Sequence, residues 1–241
     1  MLRRINQYWL SRLPAEKGDL SPYRYLIIDG TYIHQRKGIV AVMDAESHTL
    51  LYGAYGLSEG PTDLFKLCNH IAQRGLSPIS ATIDGNPHMT KTLQLFWPEI
   101  IIQRCLVHIQ RQGLSWCRRF PKRTDAKHLR KIFLRVSSIH SHGERNQLQL
   151  QLNHWEDIYG KQIARAPESG KVFSDLKRAR SMLIAALPNM FHYLDNPLIP
   201  TSTNALEGYF SRLKQKYRQH RGLSVYQRSD YFKWFMYLCQ K

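Results

Sequence analysis

Two short stretches, Ile28-Asp29-Gly30 and Ile83-Asp84-Gly85, each set an acid directly after an apolar run. Phosphodiester cleavage at neutral pH needs an activated water or hydroxyl and a stabilised leaving oxygen. Two divalent ions roughly 3.5–4 Å apart supply both. Mg²⁺ prefers hard oxygen ligands and keeps much of its water, so a few converging carboxylates suffice, with Mg²⁺ or Mn²⁺ as the expected pair of ions. Asp29 and Asp84 would emerge at one edge if the strands they close are neighbours in a sheet. Either Asp-Gly alone reads as a turn signal; its repetition at two strand ends favours the metal-ligand reading. Glu207, in Thr203-Asn204-Ala205-Leu206-Glu207-Gly208, is the third candidate ligand. Asn204 lies three residues before it, so a helix-capping box would also account for this acid. Leu206, Tyr209 or Phe210, Leu213 and Tyr217 make an apolar stripe, and Glu207 lies beside it, toward Ser211, Lys214 and Arg218.

The elements that must position these acids follow from the hydrophobic periodicity. Tyr25–Ile28 reads as a buried strand closed by Asp29-Gly30, Gly38–Met43 as a second strand and Thr49–Tyr55 as a third, with Asp44–His48 a hairpin connection. The period then becomes helical. Pro61 suits a first helical turn, Leu64, Phe65, Leu67, Cys68 and Ile71 recur at helical spacing, and Gly75 stops the run. Ser80–Ile83 is a fourth strand, His88–Phe96 a short helix, Glu99–Gln103 a fifth strand, and another helix begins near Cys105. This β-β-β-α-β-α-β-α order is that of the ribonuclease-H fold, an α/β class with a mixed five-stranded sheet and flanking helices. Residues 121–200 read as an all-helical insertion, with helices over Lys127–Ser137, Glu144–Tyr159 and Ser174–Leu187 and a Pro-rich connector, Asn196–Pro200. A final helix, Asn204–Tyr217, returns to the core. The resulting division is a short basic segment (1–22, helical around Ile5–Leu13), a core (23–120 and 201–222), the insertion (121–200) and an aromatic, basic segment (223–241).

Charge points to the partner. The chain of 241 residues carries 35 Lys and Arg against 18 Asp and Glu, a formal +17. A polyanion is the default partner for such an excess. Ten bases fall between Arg104 and Arg135 against the single acid Asp125, and eight between Thr203 and Lys241 against Glu207 and Asp230. The candidate phosphate contacts are Arg104, Arg111, Arg118, Arg119, Lys122 and Arg123 in the first run, and Arg212, Lys214, Lys216 and Arg218 in the second. No apolar run approaches the roughly 18 residues of a membrane-spanning helix. Four scattered cysteines show no disulfide framework, as expected of thiols in a reducing compartment. A cytoplasmic, nucleoid-associated protein with no membrane partner is the expectation.

The ordered set Asp29 in Ile-Ile-Asp-Gly-Thr-Tyr, Asp84 in Thr-Ile-Asp-Gly, Arg104-Cys105-Leu106-Val107-His108 and Thr203-Asn204-Ala205-Leu206-Glu207 resembles the Mutator-like superfamily of DDE transposases and related bacterial insertion-sequence enzymes. The likeness runs from about Tyr25 to Arg221. It implies Asp29, Asp84 and Glu207 as catalytic, metal-holding residues, DNA ends and target DNA as substrates, strand cleavage followed by strand transfer, and a homodimer or higher assembly. Cys105 and His108 carry over as a signature pair whose three-residue spacing puts both on one helix face; a zinc site would need further ligands. Trp155 resembles an insertion Trp of the family, for which base stacking and plain packing are the two readings. Relatives usually carry a DNA-binding region before the first strand, whereas fewer than thirty residues precede Asp29 here. A truncated or split enzyme is the corresponding expectation. The competing functions are a structure-specific nuclease of the same fold and a non-catalytic, domesticated DNA-binding protein.

Overall fold

The computed structural model describes residues 8, 10–12, 14, 18–34, 37–165, 171–220 and 222–240. The helical stretch expected around Ile5–Leu13 lies largely outside them. Two compact units divide the chain: Met1–Ile102 with Leu198–Lys241, and Gln103–Pro197.

In the first unit, short apolar runs build β1 (Tyr25–His34), β2 (Lys37–Asp44) and β3 (Leu50–Leu57), followed by β4 (Ser80–Ile83) and the start of β5 (Ile101–Arg104). Their order in the sheet is β3-β2-β1-β4-β5. β1–β2 and β2–β3 pair antiparallel, and β1–β4 pairs parallel. The α/β class and the mixed five-stranded sheet are as the sequence predicts. Asp44 closes the β2–β3 turn by accepting the Ser47 N–H and hydroxyl at 2.8 and 2.6 Å. Such an Asx arrangement substitutes for backbone pairing in a tight connection.

Side chains alternate across a strand, and both sheet faces are apolar. Leu26, Ile28, Val40 and Val42 face one core with Leu64, Leu67, Cys68 and Ile71 of α1 (Pro61–Ala72) and Met89 and Leu93 of α2 (Pro87–Phe96). Ile27, Ile39, Ala41 and Met43 face the other.

The second unit is helical: α3 (Leu106–Cys117), α4 (Thr124–Arg135), α5 (His142–Trp155), a π turn (Glu156–Gly160), α6 (Lys161–Arg165) and α7 (Lys171–Ala186). The sequence sets the edges of the insertion at 121 and 200, whereas the compact unit also takes in α3. The reason is packing: Leu106, Ile109 and Cys117 share one core with Leu129, Phe133, Leu152, Trp155 and Leu183. Buried Gln103 ties the two ends of this unit together. Its Nε2 donates to the Met190 carbonyl at 2.7 Å, and its Oε1 accepts the His192 N–H at 3.1 Å.

The chain then re-enters the first unit as α8 (Asn204–Tyr217) and α9 (Val225–Leu238). Leu206, Tyr209, Phe210 and Leu213 of α8, with Phe232 and Met236 of α9, complete the core on the Ile27 face. The last helix corrects the expectation of a merely aromatic, basic end. Its signal is local, a capping box in which Ser224 Oγ accepts the Gln227 N–H at 3.3 Å and Gln227 Oε1 accepts the Ser224 N–H at 3.1 Å.

Candidate active site

Asp29 lies within β1 rather than at its end, opposite Ala41 of β2. The expectation of a strand closed by Asp29-Gly30 is therefore corrected: pairing with β2 continues through Gly30, Thr31 and Tyr32. What ends here is the other neighbour. The parallel register with β4 runs Tyr25–Ser80, Leu26–Ala81 and Ile27–Thr82, and β4 stops at Ile83. Asp29 thus occupies the carboxyl end of the parallel pair, where open α/β sheets place their ligands. It shares its face with Ile27, the face covered by α8 and α9. The residue is only 8% exposed, and its Oδ1 accepts the Gly30 N–H at 2.8 Å.

Asp84 follows β4 directly. Extending the Ile27–Thr82 register by two residues sets it level with Asp29 and on the same face. Gly85 follows with φ +106, a conformation that favours glycine. The turn bends back so that Asp84 Oδ1 accepts the Asn86 N–H at 3.0 Å. The turn reading therefore holds, since Asp84 shapes the bend that follows β4.

Glu207 arrives on α8. The Thr82 hydroxyl donates to the Pro200 carbonyl at 2.8 Å and moors the incoming connector to β4. Thr203, fully buried, is the residue at which the helix starts, and it makes no side-chain capping bond. Asn204 is already helical, so the capping box suggested by Asn204 and Glu207 does not form. The stripe Leu206, Tyr209, Phe210, Leu213 and Tyr217 is buried, leaving Glu207 half-buried at its border. A carboxylate oxygen of Asp29 and one of Glu207 lie within 4.8 Å of each other. Asp84 does not share that spacing with both of them. Two carboxylates this close repel unless a cation or proton offsets them, and hard oxygen donors suit Mg²⁺ or Mn²⁺.

Residues 16–223 match the family described as Transposase, Mutator family. The chain belongs to the Mutator family of transposases. No match is found among curated proteins.

The basic residues of this Mutator-family chain divide by what they touch. In the helical unit, Arg111, Arg119 and Lys122 are exposed, with the Arg119 guanidinium 5.3 Å from the Phe120 ring centre. Arg118 lies 3.7 Å from Asp175. Arg123 serves the fold: its guanidinium grips buried Asp125 at 2.7 Å. Arg104 is half-buried at the end of β5. Arg212 and Lys216 on α8 and Arg218 just after it are exposed, and Lys214 is half-buried.

Cys105 precedes the first turn of α3 and is fully buried. Its Sγ lies 3.1 Å from His108 Nδ1, so the pair is in contact across one helical turn and the thiol orients the imidazole. Among the described residues no cluster of three or more metal-ligating side chains includes Cys105. Trp155 is 2% exposed, and its Nε1 donates to the Asp125 carbonyl at 2.9 Å. Buried in the helical core, Trp155 fits the packing reading.

Among the described residues no helix is long and apolar enough to cross a membrane.

Proposed function

We propose that this chain is a catalytically competent DDE transposase with a ribonuclease-H-like core, in which Asp29, Asp84 and Glu207 hold two divalent cations against a DNA backbone. The observation that carries the reading is the approach of the Asp29 and Glu207 carboxylates to within 4.8 Å, brought about by a helix more than a hundred residues downstream of β1. Antiparallel β1–β2–β3 followed by β4 parallel to β1 is the expected strand arrangement. The wider position of Asp84 is compatible with a second ion, because two ions roughly 3.5–4 Å apart spread their ligands beyond a single contact.

When bound, Mg²⁺ or Mn²⁺ supplies the activation of the attacking oxygen and the stabilisation of the leaving one. The chain's own residues supply the geometry. Buried Asp29 fixes the floor of the site, Glu207 closes it from α8, and Asp84 flanks it from the neighbouring strand. Arg212 and Lys216 on α8 and Arg218 just after it, and Arg111, Arg119 and Lys122 of the helical unit, hold phosphates through charge. Water cleaves the P–O3′ bond at the transposon end. The freed 3′-hydroxyl then attacks a target phosphodiester, forming one P–O bond as another breaks, so no external energy source is required. Action on chromosomal DNA as a homodimer or larger assembly completes the proposal.

The test is a strand-joining assay with a labelled 3′-OH end in Mn²⁺. Joined product supports the transposase. Cleavage without joining would make the chain a structure-specific nuclease, and DNA binding with no metal-dependent processing would make it a non-catalytic binder.

A further inference from the structure

A second acid lies next to both aspartate turns, on a loop that the sequence does not mark. Glu59 sits in the Ser58-Glu59-Gly60 link between β3 and α1. That link is pinned from below: Asp63, in the first turn of α1, accepts both the Ser58 N–H and the Ser58 hydroxyl at 2.8 Å. These two donors hold the Asp63 carboxyl below its ordinary pKa, as expected of a carboxylate locked into a cap.

From this anchored loop the Glu59 side chain reaches two places. Its Oε2 accepts Asn86 Nδ2–H at 3.0 Å, and its backbone carbonyl accepts from the same nitrogen at 3.3 Å. Its Oε1 lies against the Cα of Gly30, so closely that a Cβ at position 30 would collide with it. Asn86 is oriented at its other end too. Its Oδ1 caps α2 by accepting the His88 and Met89 N–H groups at 2.8 and 3.4 Å. Its own N–H donates to Asp84 Oδ1 at 3.0 Å. One connected path therefore runs from Asp63 through Ser58 and Glu59 to Asn86 and Asp84, and Glu59 also buttresses the residue following Asp29.

We infer that Glu59, acting through Asn86, is a positioning residue that sets the orientation of the Asp84 carboxylate and the spacing between the Asp29 and Asp84 turns. The inference rests on the functional reading above, in which Asp84 holds a cation. Without the Glu59 carboxylate the Asn86 amide keeps only the position-59 backbone carbonyl as its acceptor on this side, so the turn whose N–H anchors Asp84 Oδ1 is held less firmly. Partners that orient metal ligands from outside typically change affinity by ~10–100-fold when removed. The role is one of geometry rather than ligation, because Oε2 is engaged by Asn86 and Oε1 packs against the Gly30 Cα. Glutamine at position 59 retains an oxygen able to accept from Asn86, so it should preserve the function.

The experiment uses the full chain and its Glu59→Ala and Glu59→Gln variants. Mn²⁺ affinity is measured by electron paramagnetic resonance, and backbone hydrogen exchange is followed across residues 84–89. The expected result is a Mn²⁺ Kd raised about tenfold or more in Glu59→Ala, faster exchange at Asn86 and His88, and near wild-type behaviour of Glu59→Gln. A Gln variant as weak in Mn²⁺ binding as the Ala variant would make Glu59 a ligand and overturn the positioning role. Wild-type Mn²⁺ binding together with an unchanged Ala variant would overturn the positioning role alone. A wild-type chain that binds no Mn²⁺ would overturn the functional reading itself, and the positioning role with it.

Discussion

The two units of this molecule handle charge in opposite ways. In the sheet unit Asp29 of β1 and Glu207 of α8, distant in sequence, bring carboxylate oxygens within 4.8 Å, and Asp84 follows β4. The helical unit gathers bases, ten of them between Arg104 and Arg135, and buries its one acid of that run, Asp125, under Arg123. The sheet unit places charge where like charges must meet, which is costly without a counter-ion. The helical unit leaves several of its bases, Arg111, Arg119 and Lys122 among them, exposed to solvent. A site for chemistry thus differs from a surface for binding in how much strain the fold must hold. Interior residues such as Thr82 and Thr203 serve the first, while the second needs only exposure.

The largest expected effect breaks the acid half alone. Asp84→Ala should lower strand cleavage on the order of 10³-fold or more, the scale of several kcal/mol of lost transition-state stabilisation. Salt-sensitive DNA binding should persist. Cleavage at the normal rate in that variant, read on end-labelled DNA, would remove Asp84 from the chemistry.

Trp155→Ala probes the interior of the basic half. Loss of a buried aromatic should cost about 3–5 kcal/mol in denaturant unfolding. Unchanged stability combined with weakened DNA binding would restore a stacking role.

Smaller still is the contrast between Arg123 and its exposed neighbours. Arg123→Ala should destabilise by roughly 1–3 kcal/mol, because it leaves Asp125 buried without its charged partner. Arg119→Ala with Lys122→Ala should leave stability nearly unchanged and make the slope of log K against log salt shallower by about 0.9 for each phosphate no longer neutralised. Equal effects of both changes on the salt slope would contradict this division between fold-bound and phosphate-facing bases.

The mildest effect is a pH dependence confined to the helical unit. Burial pushes the Tyr193 hydroxyl up to about 12, and that hydroxyl donates to the Ile139 carbonyl at 2.7 Å. Above the ordinary value of 10.0 the unfolded chain loses this proton while the folded chain keeps it. The contribution is therefore complete below pH 10 and lost as pH rises toward 12. Melting scans across that window should show a weaker alkaline decline in Tyr193→Phe than in the wild type; identical slopes would exclude Tyr193 as the cause.

Much of this architecture is legible in the residues. Alternating apolar runs announce β1 to β5, Pro61 and Gly75 bracket a helix, and the α8 stripe names its own buried face, since periodicity is a local property of the chain. Glu207 can be placed at the border of that stripe from spacing alone. The C-terminal helix escapes such a reading although Ser224 and Gln227 carry its capping signal, because its aromatic and basic residues follow no single stripe. Glu59 has no signal at all: its partners Asn86 and Gly30 belong to other turns, and only folding makes them neighbours.

By itself the sequence determined the alphabet of the site, namely three acids, two basic runs and the elements that bear them, because side-chain chemistry and backbone periodicity are written residue by residue. Tertiary structure alone decided which acids meet, that Asp29 lies within a strand whose parallel neighbour has ended, and that Arg123 and Trp155 serve the interior. Those outcomes depend on distances between residues remote along the chain, and such distances are fixed only when sheet register and core packing are satisfied together.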